Sequence, residues 1–474
     1  MKLPKNGLIE NPQQIFKILK ELESKDLQWD KGKAFGYVFD PGKKYRKVGE
    51  KALLEYYHKS GLDFTVYPSL LYLEKEIVNF AIRHLNGDRN CCGNFTSGGT
   101  ESILLAVKTA RDYALSKNSN IKNPEILLPI TAHASFHKAA KYFNLNIKLV
   151  NISDTYQVDL NDLEKKISRN TILIVGSAPS YTFGVIDPIE EMAKIAEKYN
   201  VLFHVDACMG GFILPFFRKL KIPIPRFDFS LKGVSSISMD FHKYAYAPKG
   251  SSVILYRNKE LRKYQIFSCS NWIGYTMINS TIQSTKSGGP LAATYATLLA
   301  IGEDGYLNFA KEKWNAILKI QNFIKNHPDL KLVVESNTPL IAFTSDTVNI
   351  FHIIDEMNLM GWYIQPVFSY GKIKESIHLS INYSNVYQIE KFLKDLNQAI
   401  ENAKKLPSGI LLNEIKPYLN QLDNLKTVYK IFQGLNIQPD RIPKRFAPIN
   451  EVLNLLKPEV REKILLEFTN LAFP

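Results

Sequence analysis

Residues 171–207 read TILIVGSAPSYTFGVIDPIEEMAKIAEKYNVLFHVDA, and their pattern decides the fold. Thr171–Val175 is a short unbroken apolar run, and so is Val201–Val205. Runs of this length suit strands buried on both faces. Between them a helix is predicted to begin at Asp187-Pro188, with an acidic cap, proline at the first helical position and Glu190 three residues after the cap. Strand, helix, strand in this order is a crossover, which joins parallel strands.

The same alternation extends outward over about residues 90–256. Ile126–Pro129 and Ile147–Ile152 are further strand-like runs. Upstream, a short helical pattern lies near Leu53–Tyr57. A cleaner helix then starts at Pro68, repeats Leu70, Leu73, Ile77 and Ala81 on one face, and ends before Gly87. The expectation is an α/β fold whose mostly parallel central sheet is covered on both faces. Ligands in such sheets sit at the carboxyl ends of strands. After Pro290 a helical stretch leads into a smaller α+β unit. There, strand-like runs at Leu330–Val334 and Ile377–Ile381 mix with helical patterns at Val348–Met357 and Tyr387–Ala403. The chain thus divides into an N-terminal segment (1–60), a large domain (61–310) and a small C-terminal domain with a helical tail (311–474). Residues from about 408 onward read as helices and loops.

Composition narrows the function classes. With 474 residues, 45% of them hydrophobic, the chain can bury a large core. The formal charge of +14 favours anionic partners. The lysines are scattered, however, and no arginine-rich strip or finger motif points to nucleic acid. Cys91, Cys92, Cys208 and Cys269 form no repeated CxxC pair, which suits a reduced, cytoplasmic, soluble chain. Met1 to Gln13 lacks a signal-peptide core. No stretch approaches the roughly 18 to 20 apolar residues that span a bilayer, so any membrane contact is expected at the surface.

Four short motifs carry chemistry. Thr96–Ser102 (TSGGTES) precedes a helix-like run, and its small residues let backbone N–H groups approach a phosphate; a plain tight turn reads equally well. His204-Val205-Asp206-Ala207 closes an apolar strand, where a carboxylate is costly unless a cation pairs with it. A protonated pyridine nitrogen is such a cation; a helix cap or a metal ligand are the other readings. In Ser238–Tyr244 (SMDFHKY), Lys243 is a residue type that forms Schiff bases, and His242 beside it can bind phosphate or pass protons. His133, just after a strand within Thr131–Lys138, can stack on a flat ring or simply pack.

A small-residue loop, a His, an Asp at a strand end and then His-Lys, in that order through one α/β unit, is the arrangement of fold-type I enzymes of the pyridoxal-phosphate (PLP) transferase fold. Thr96–Ser102, Ala132–Ala139, Gly184–Pro188, His204–Gly211, Phe227-Asp228-Phe229 and Lys232–Ser252 closely resemble the sphingosine-1-phosphate lyase family, a branch of the group II decarboxylases. The resemblance spans about residues 60–310 and loosens on either side. It implies that Lys243 holds the cofactor aldehyde, Asp206 pairs with the pyridine nitrogen and His133 stacks on the ring. It further implies that Ser97, Gly98, Gly99, Thr100 and His242 hold the phosphate, with His204 beside Asp206 among the cofactor contacts. Tyr246 and Lys249 would line the substrate side. The family is homodimeric with active sites at the subunit interface, so Ser287-Gly288-Gly289 would reach a partner's cofactor.

The substrate side departs from the family pattern. Asp63 stands where a substrate-facing His is expected, ahead of Tyr67-Pro68. A family Tyr aligns with Phe39. The family's Gly-Ser-Arg-Pro-Gly-Gly run appears as Ser284–Gly289, with Lys286 in the arginine position, and a Gly-Gly-Ile-Tyr-like stretch appears as Gly274–Met277. The N-terminal transmembrane anchor of eukaryotic members is expected to be absent. An anion at Asp63 would repel a substrate phosphate. The implied activity is cleavage of a phosphorylated long-chain base to a fatty aldehyde and phosphoethanolamine. Amino-acid decarboxylation is the first rival, and a catalytically weak, lyase-derived binding protein the second.

Overall fold

Seven strands form the central sheet: β1 (Cys92–Thr96), β2 (Glu125–Pro129), β3 (Asn146–Val150), β4 (Thr171–Ser177), β5 (Leu202–Asp206), β6 (Ser236–Asp240) and β7 (Ser252–Tyr256). Their order across the sheet is β1-β7-β6-β5-β4-β2-β3. The pairs β2–β3, β2–β4, β4–β5 and β5–β6 are parallel. Only β7 runs against its neighbours, β1 and β6. The computed structural model from which this is read describes residues 11–24, 26–275, 277–409 and 443–472. The tail read from the sequence as helices and loops therefore lies outside the described residues over 410–442.

The helices cover the sheet as the apolar spacing requires. Helix α3 (Pro68–His84) buries Leu70, Leu73, Ile77 and Ala81, and each of the three larger side chains contributes about 1.5–3 kcal/mol by leaving water. The helix after β4, α7, spans Ile189–Tyr199 and not from Pro188. Asp187 does not cap it. The Asp187 carboxylate turns inward and accepts the N–H groups of Ser177 (2.8 Å) and Val158 (3.2 Å), stitching the loop to the end of β4. Those buried backbone donors need a partner more than the solvated end of α7 does.

Helix α10 (Gly289–Asn326) leads out of the large domain and runs through residue 310, where the sequence suggests a boundary. It breaks once, at Gly302, whose φ of 65° a side chain would resist. Beyond it, an antiparallel sheet orders β10 (Lys331–Leu332), β11 (Leu340–Thr344), β13 (Ser376–Ser380) and β12 (Gln365–Val367). Helices Ile350–Leu359 and Ile389–Ala403 flank it. The N-terminal segment docks here: Phe35 packs on Phe392 at 4.4 Å, and its N–H donates to the Tyr363 carbonyl. Two helices, Ala447–Leu455 and Pro458–Ala472, end the described chain. Asp355 caps the first by accepting the N–H groups of Phe446 and Ala447.

Candidate active site

Parallel strands place their carboxyl ends together, and chemistry gathers there. Ser177 ends β4, Asp206 ends β5 and Asp240 ends β6. These three face one cavity of about 400 Å³, together with Ser97, Gly98, Gly99, Thr100, His133, His242 and Lys243. Motifs as far apart as 97 and 243 in sequence thus share a single enclosure.

One wall is the N-terminus of α4 (Gly99–Lys117), with Gly98 at its cap. The first-turn N–H groups of a helix have no partner within it and attract anions. A Cβ on Gly99 would stand 2.8 Å from Cys208 Sγ and 2.9 Å from an Asp240 carboxylate oxygen, so only glycine fits. His242 stands beside Gly98, its Cε1 lying 3.5 Å from where a Cβ would be. Ser97 is placed differently from expectation. Its N–H (2.6 Å) and hydroxyl (2.7 Å) both donate to Glu101, so its donors are already taken. The other Glu101 oxygen accepts from Ile282 and Gln283, which ties the loop to the 280s. A glutamate at the third helical position is a capping signal, and it could have flagged this clamp from sequence.

Asp206 lines the cavity from the end of β5. It accepts from the Cys208 N–H (3.1 Å) and the Ser238 hydroxyl (3.3 Å). His204 does not line the cavity, which corrects the expectation of a cofactor contact. It shares a face of β5 with Asp206, two residues on, but lies deeper in the sheet, fully buried between Ser236 (2.8 Å) and Ser238 (3.2 Å). Burial pushes its pKa down to about 4, so it is a neutral ring that supports Asp206 through Ser238.

Lys243 follows β6 on a tight turn. Its Nζ lies 2.9 Å from Asp240, and its side chain, 23% exposed, lines the cavity. Burial works to lower its pKa, but the carboxylate of Asp240 outweighs burial and leaves it raised. His242 Nδ1 accepts the Ser251 N–H (3.2 Å), and Nε2 lies 3.5 Å from Asp240. Burial lowers the His242 pKa despite Asp240.

Opposite, His133 is pinned by Ser135, whose N–H donates to Nδ1 (3.2 Å) and whose hydroxyl contacts the same nitrogen (2.9 Å). Ser135 also meets the Thr100 hydroxyl at 3.0 Å, which joins His133 to the phosphate wall. Tyr181 lines the cavity too and was not foreseen. Its hydroxyl donates to Gln365 (2.6 Å) of the small domain, a contact that no local motif reveals.

The expected substrate side fares differently. Tyr246 is buried and does not line the cavity: its hydroxyl accepts from Lys313 Nζ and from the Tyr383 N–H, both at 3.1 Å. Lys249 does not line the cavity either: it donates to the Tyr37 carbonyl (2.7 Å) with its ammonium over the Phe39 ring. Asp63 turns away and closes its own turn, accepting from the Thr65 N–H (2.8 Å) and hydroxyl (2.7 Å). Those bonds hold its carboxyl below the usual range. Ser287, Gly288 and Gly289 face a second, smaller cavity or lie against the chain near Tyr57 and Lys59, not the cavity of Lys243.

An aldehyde-reactive lysine, a carboxylate at a buried strand end, an anion-binding helix start and a glycine that leaves room there fit pyridoxal 5'-phosphate. Gly98 to Thr100 and His242 would hold its phosphate, Asp206 its ring nitrogen and Lys243 its aldehyde. Residues 11–346 match the pyridoxal-dependent decarboxylase conserved domain. Residues 424–471 match a second family, described as "Pyridoxal-dependent enzyme, C-terminal putative HTH domain". The chain is 38% identical to the sphingosine-1-phosphate lyase of Oryza sativa over 416 residues, which cover 86% of this chain and 76% of that one. It is 40% identical to sphingosine-1-phosphate lyase 1 of Rattus norvegicus over 414 residues, covering 86% and 71%. The solved sphingosine-1-phosphate lyase of Burkholderia pseudomallei superposes with a TM-score of 0.80 at 31% identity, over 90% of this chain and 97% of that one. Likeness on this scale reaches well beyond the cofactor motifs into the small domain, and the chain belongs to the sphingosine-1-phosphate lyase family of pyridoxal-phosphate enzymes.

Proposed function

We propose that this lyase cleaves the C2–C3 bond of a phosphorylated long-chain base, giving a fatty aldehyde and phosphoethanolamine. The observation that carries the reading is 40% identity to the rat lyase across 86% of this chain. When bound, pyridoxal phosphate supplies an electron sink for the pair released by the breaking bond. Asp206, fixed by Cys208 and Ser238, would keep the ring nitrogen protonated. Lys243 would present Nζ to the aldehyde. His133, pinned through Nδ1, keeps Nε2 for the cavity contents. Lys249, near enough for its charge to act on Lys243, is a cation that could meet a substrate phosphate once it leaves the Tyr37 carbonyl.

No arginine lines the cavity among the described residues. A forked partner for a substrate carboxylate is therefore lacking there, which favours the lyase over an amino-acid decarboxylase. The test is aldehyde release from a panel of amines, with carbon dioxide release from amino acids measured in parallel and Lys243→Ala as the blank. Aldehyde from sphingosine 1-phosphate supports the reading. Carbon dioxide without aldehyde replaces it with decarboxylation, and no turnover on any amine replaces it with a binding role.

The active form is a homodimer with shared sites. The family resemblance supports this, as does the hairpin of β8 (Phe267–Cys269) and β9 (Met277–Asn279). Its tip exposes Trp272, Ile273 and Tyr275, an apolar group that a single chain leaves uncovered. The compartment is the cytoplasm, which the four free cysteines support. Among the described residues no helix is long and apolar enough to cross a membrane.

A further inference from the structure

Two buried carboxylates end adjacent strands at this site, and they are bonded differently. Asp206 is tied to Cys208 and Ser238. Asp240 is 2% exposed, yet its Oδ1 has no hydrogen-bond partner among the described residues. Its Oδ2 is spent on Lys243 Nζ at 2.9 Å, with His242 Nε2 at 3.5 Å. A carboxylate that served only the fold would have its oxygens on backbone N–H groups, as Asp187 does. A buried oxygen left bare is costly and needs a compensating purpose.

We propose that Asp240 is the positioning residue of Lys243: its carboxylate is the berth to which the Nζ ammonium returns whenever the lysine is not joined to the cofactor. The lysine is thereby held charged and at a fixed place on the cavity wall. The charged and titratable groups around the pair are His242 on the same turn, Asp206 and Cys208 from β5 and the loop after it, Tyr181 from the loop after β4, and Lys249 along the chain. Burial opposes both charges, but each sustains the other: Asp240 stays below the usual carboxylate range and Lys243 above the usual lysine range.

A chemical consequence follows. Bond cleavage leaves the amine-bearing carbon electron-rich, and Lys243 can supply its proton. The N–H bond breaks, the C–H bond forms, and Nζ is left as a neutral amine. That neutral amine is the form of Lys243 that would be able to rejoin the cofactor. The argument depends on the cofactor lysine and not on the long-chain base, so it survives if another substrate is found.

The test uses full-length protein. Competitive labelling with an amine-reactive reagent, after hydroxylamine removes the cofactor, reads the titration midpoint of Lys243 by peptide mapping. The pH profile of kcat in the holoenzyme reads its proton donation. In Asp240→Asn both the labelling midpoint and the alkaline limb of kcat should move down by at least about one pH unit, the scale of losing an opposite charge at contact. A folded Asp240→Asn protein that labels Lys243 with the wild-type midpoint overturns the proposal. If that variant does not fold, the wild-type protein decides. A Lys243 midpoint above the ordinary lysine value of about 10.4 supports the berth, and one at or below it overturns it.

Discussion

Replacing Gly99 by alanine tests the phosphate wall through two opposed effects. Alanine favours helix over glycine by about 1 kcal/mol at most, and less at a first helical position. Against that, the new Cβ would lie 2.8 Å from Cys208 Sγ and 2.9 and 3.0 Å from the two Asp240 oxygens. Cys208 and Asp240 are both buried, and both are short side chains with little room to swing. Overpacking of this kind costs about 1–3 kcal/mol, so the clash wins. Its relief must move Asp240 off Lys243 or tilt the start of α4, and either change loosens the cofactor site. Gly98→Ala is the matched control: its Cβ would meet only His242 Cε1, at an ordinary 3.5 Å, and should shift stability by no more than about 0.5 kcal/mol. Thermal melts and cofactor titration of the stripped protein compare the two. Gly99→Ala should melt a few degrees lower and bind cofactor about tenfold more weakly, the effect of 1.4 kcal/mol. The control should melt like the wild type. A Gly99→Ala protein with wild-type melting and affinity would refute the reasoning.

Three further outcomes are expected. Asp206→Asn should retain part of its cofactor binding but lose turnover on the order of 10²-fold or more, since an amide cannot keep the pyridine nitrogen protonated; near-normal turnover would assign Asp206 another task. Asp63→His should lower the melting temperature slightly by removing the Thr65 bonds, and leave unchanged the ratio of kcat/KM for phosphorylated and unphosphorylated amines. A changed ratio would bring Asp63 to a substrate, by way of a partner subunit. Burial pushes the Asp187 carboxyl up to about 7, against an unfolded value of about 3.9. Its favourable share of stability is complete below about pH 4 and is lost as pH rises to 7. The stability difference between wild type and Asp187→Asn, from denaturant melts at several pH values, should therefore fall across that window; a flat difference would mean an Asp187 ionised throughout.

How much could be read from the sequence depended on how the side chains are brought together. Strand ends are local. A buried run that stops at a polar residue announces itself, which is why Asp206, the Lys243 turn and the glycines of α4 were legible, and with them the parallel sheet. The antiparallel insertion of β7 was not, because the apolar run Ser252–Tyr256 looks the same in either direction. His204 misled for the same local reason: it stands two residues from Asp206 and on the same face of β5, but it lies deeper in the sheet, where its hydroxyl partners come from β6. Asp240 was in plain view inside the Lys243 motif, yet a carboxylate three residues from a lysine is unremarkable until burial removes water from both. The substrate rim is harder still. Tyr37, Lys249, Tyr181 and Gln365 come from four separate parts of the chain and meet through single hydrogen bonds. No periodicity encodes such meetings. A substitution at the rim disturbs one bond between distant segments, whereas one at Gly99 or Asp240 strikes a carboxylate, a thiol and the reactive lysine at once.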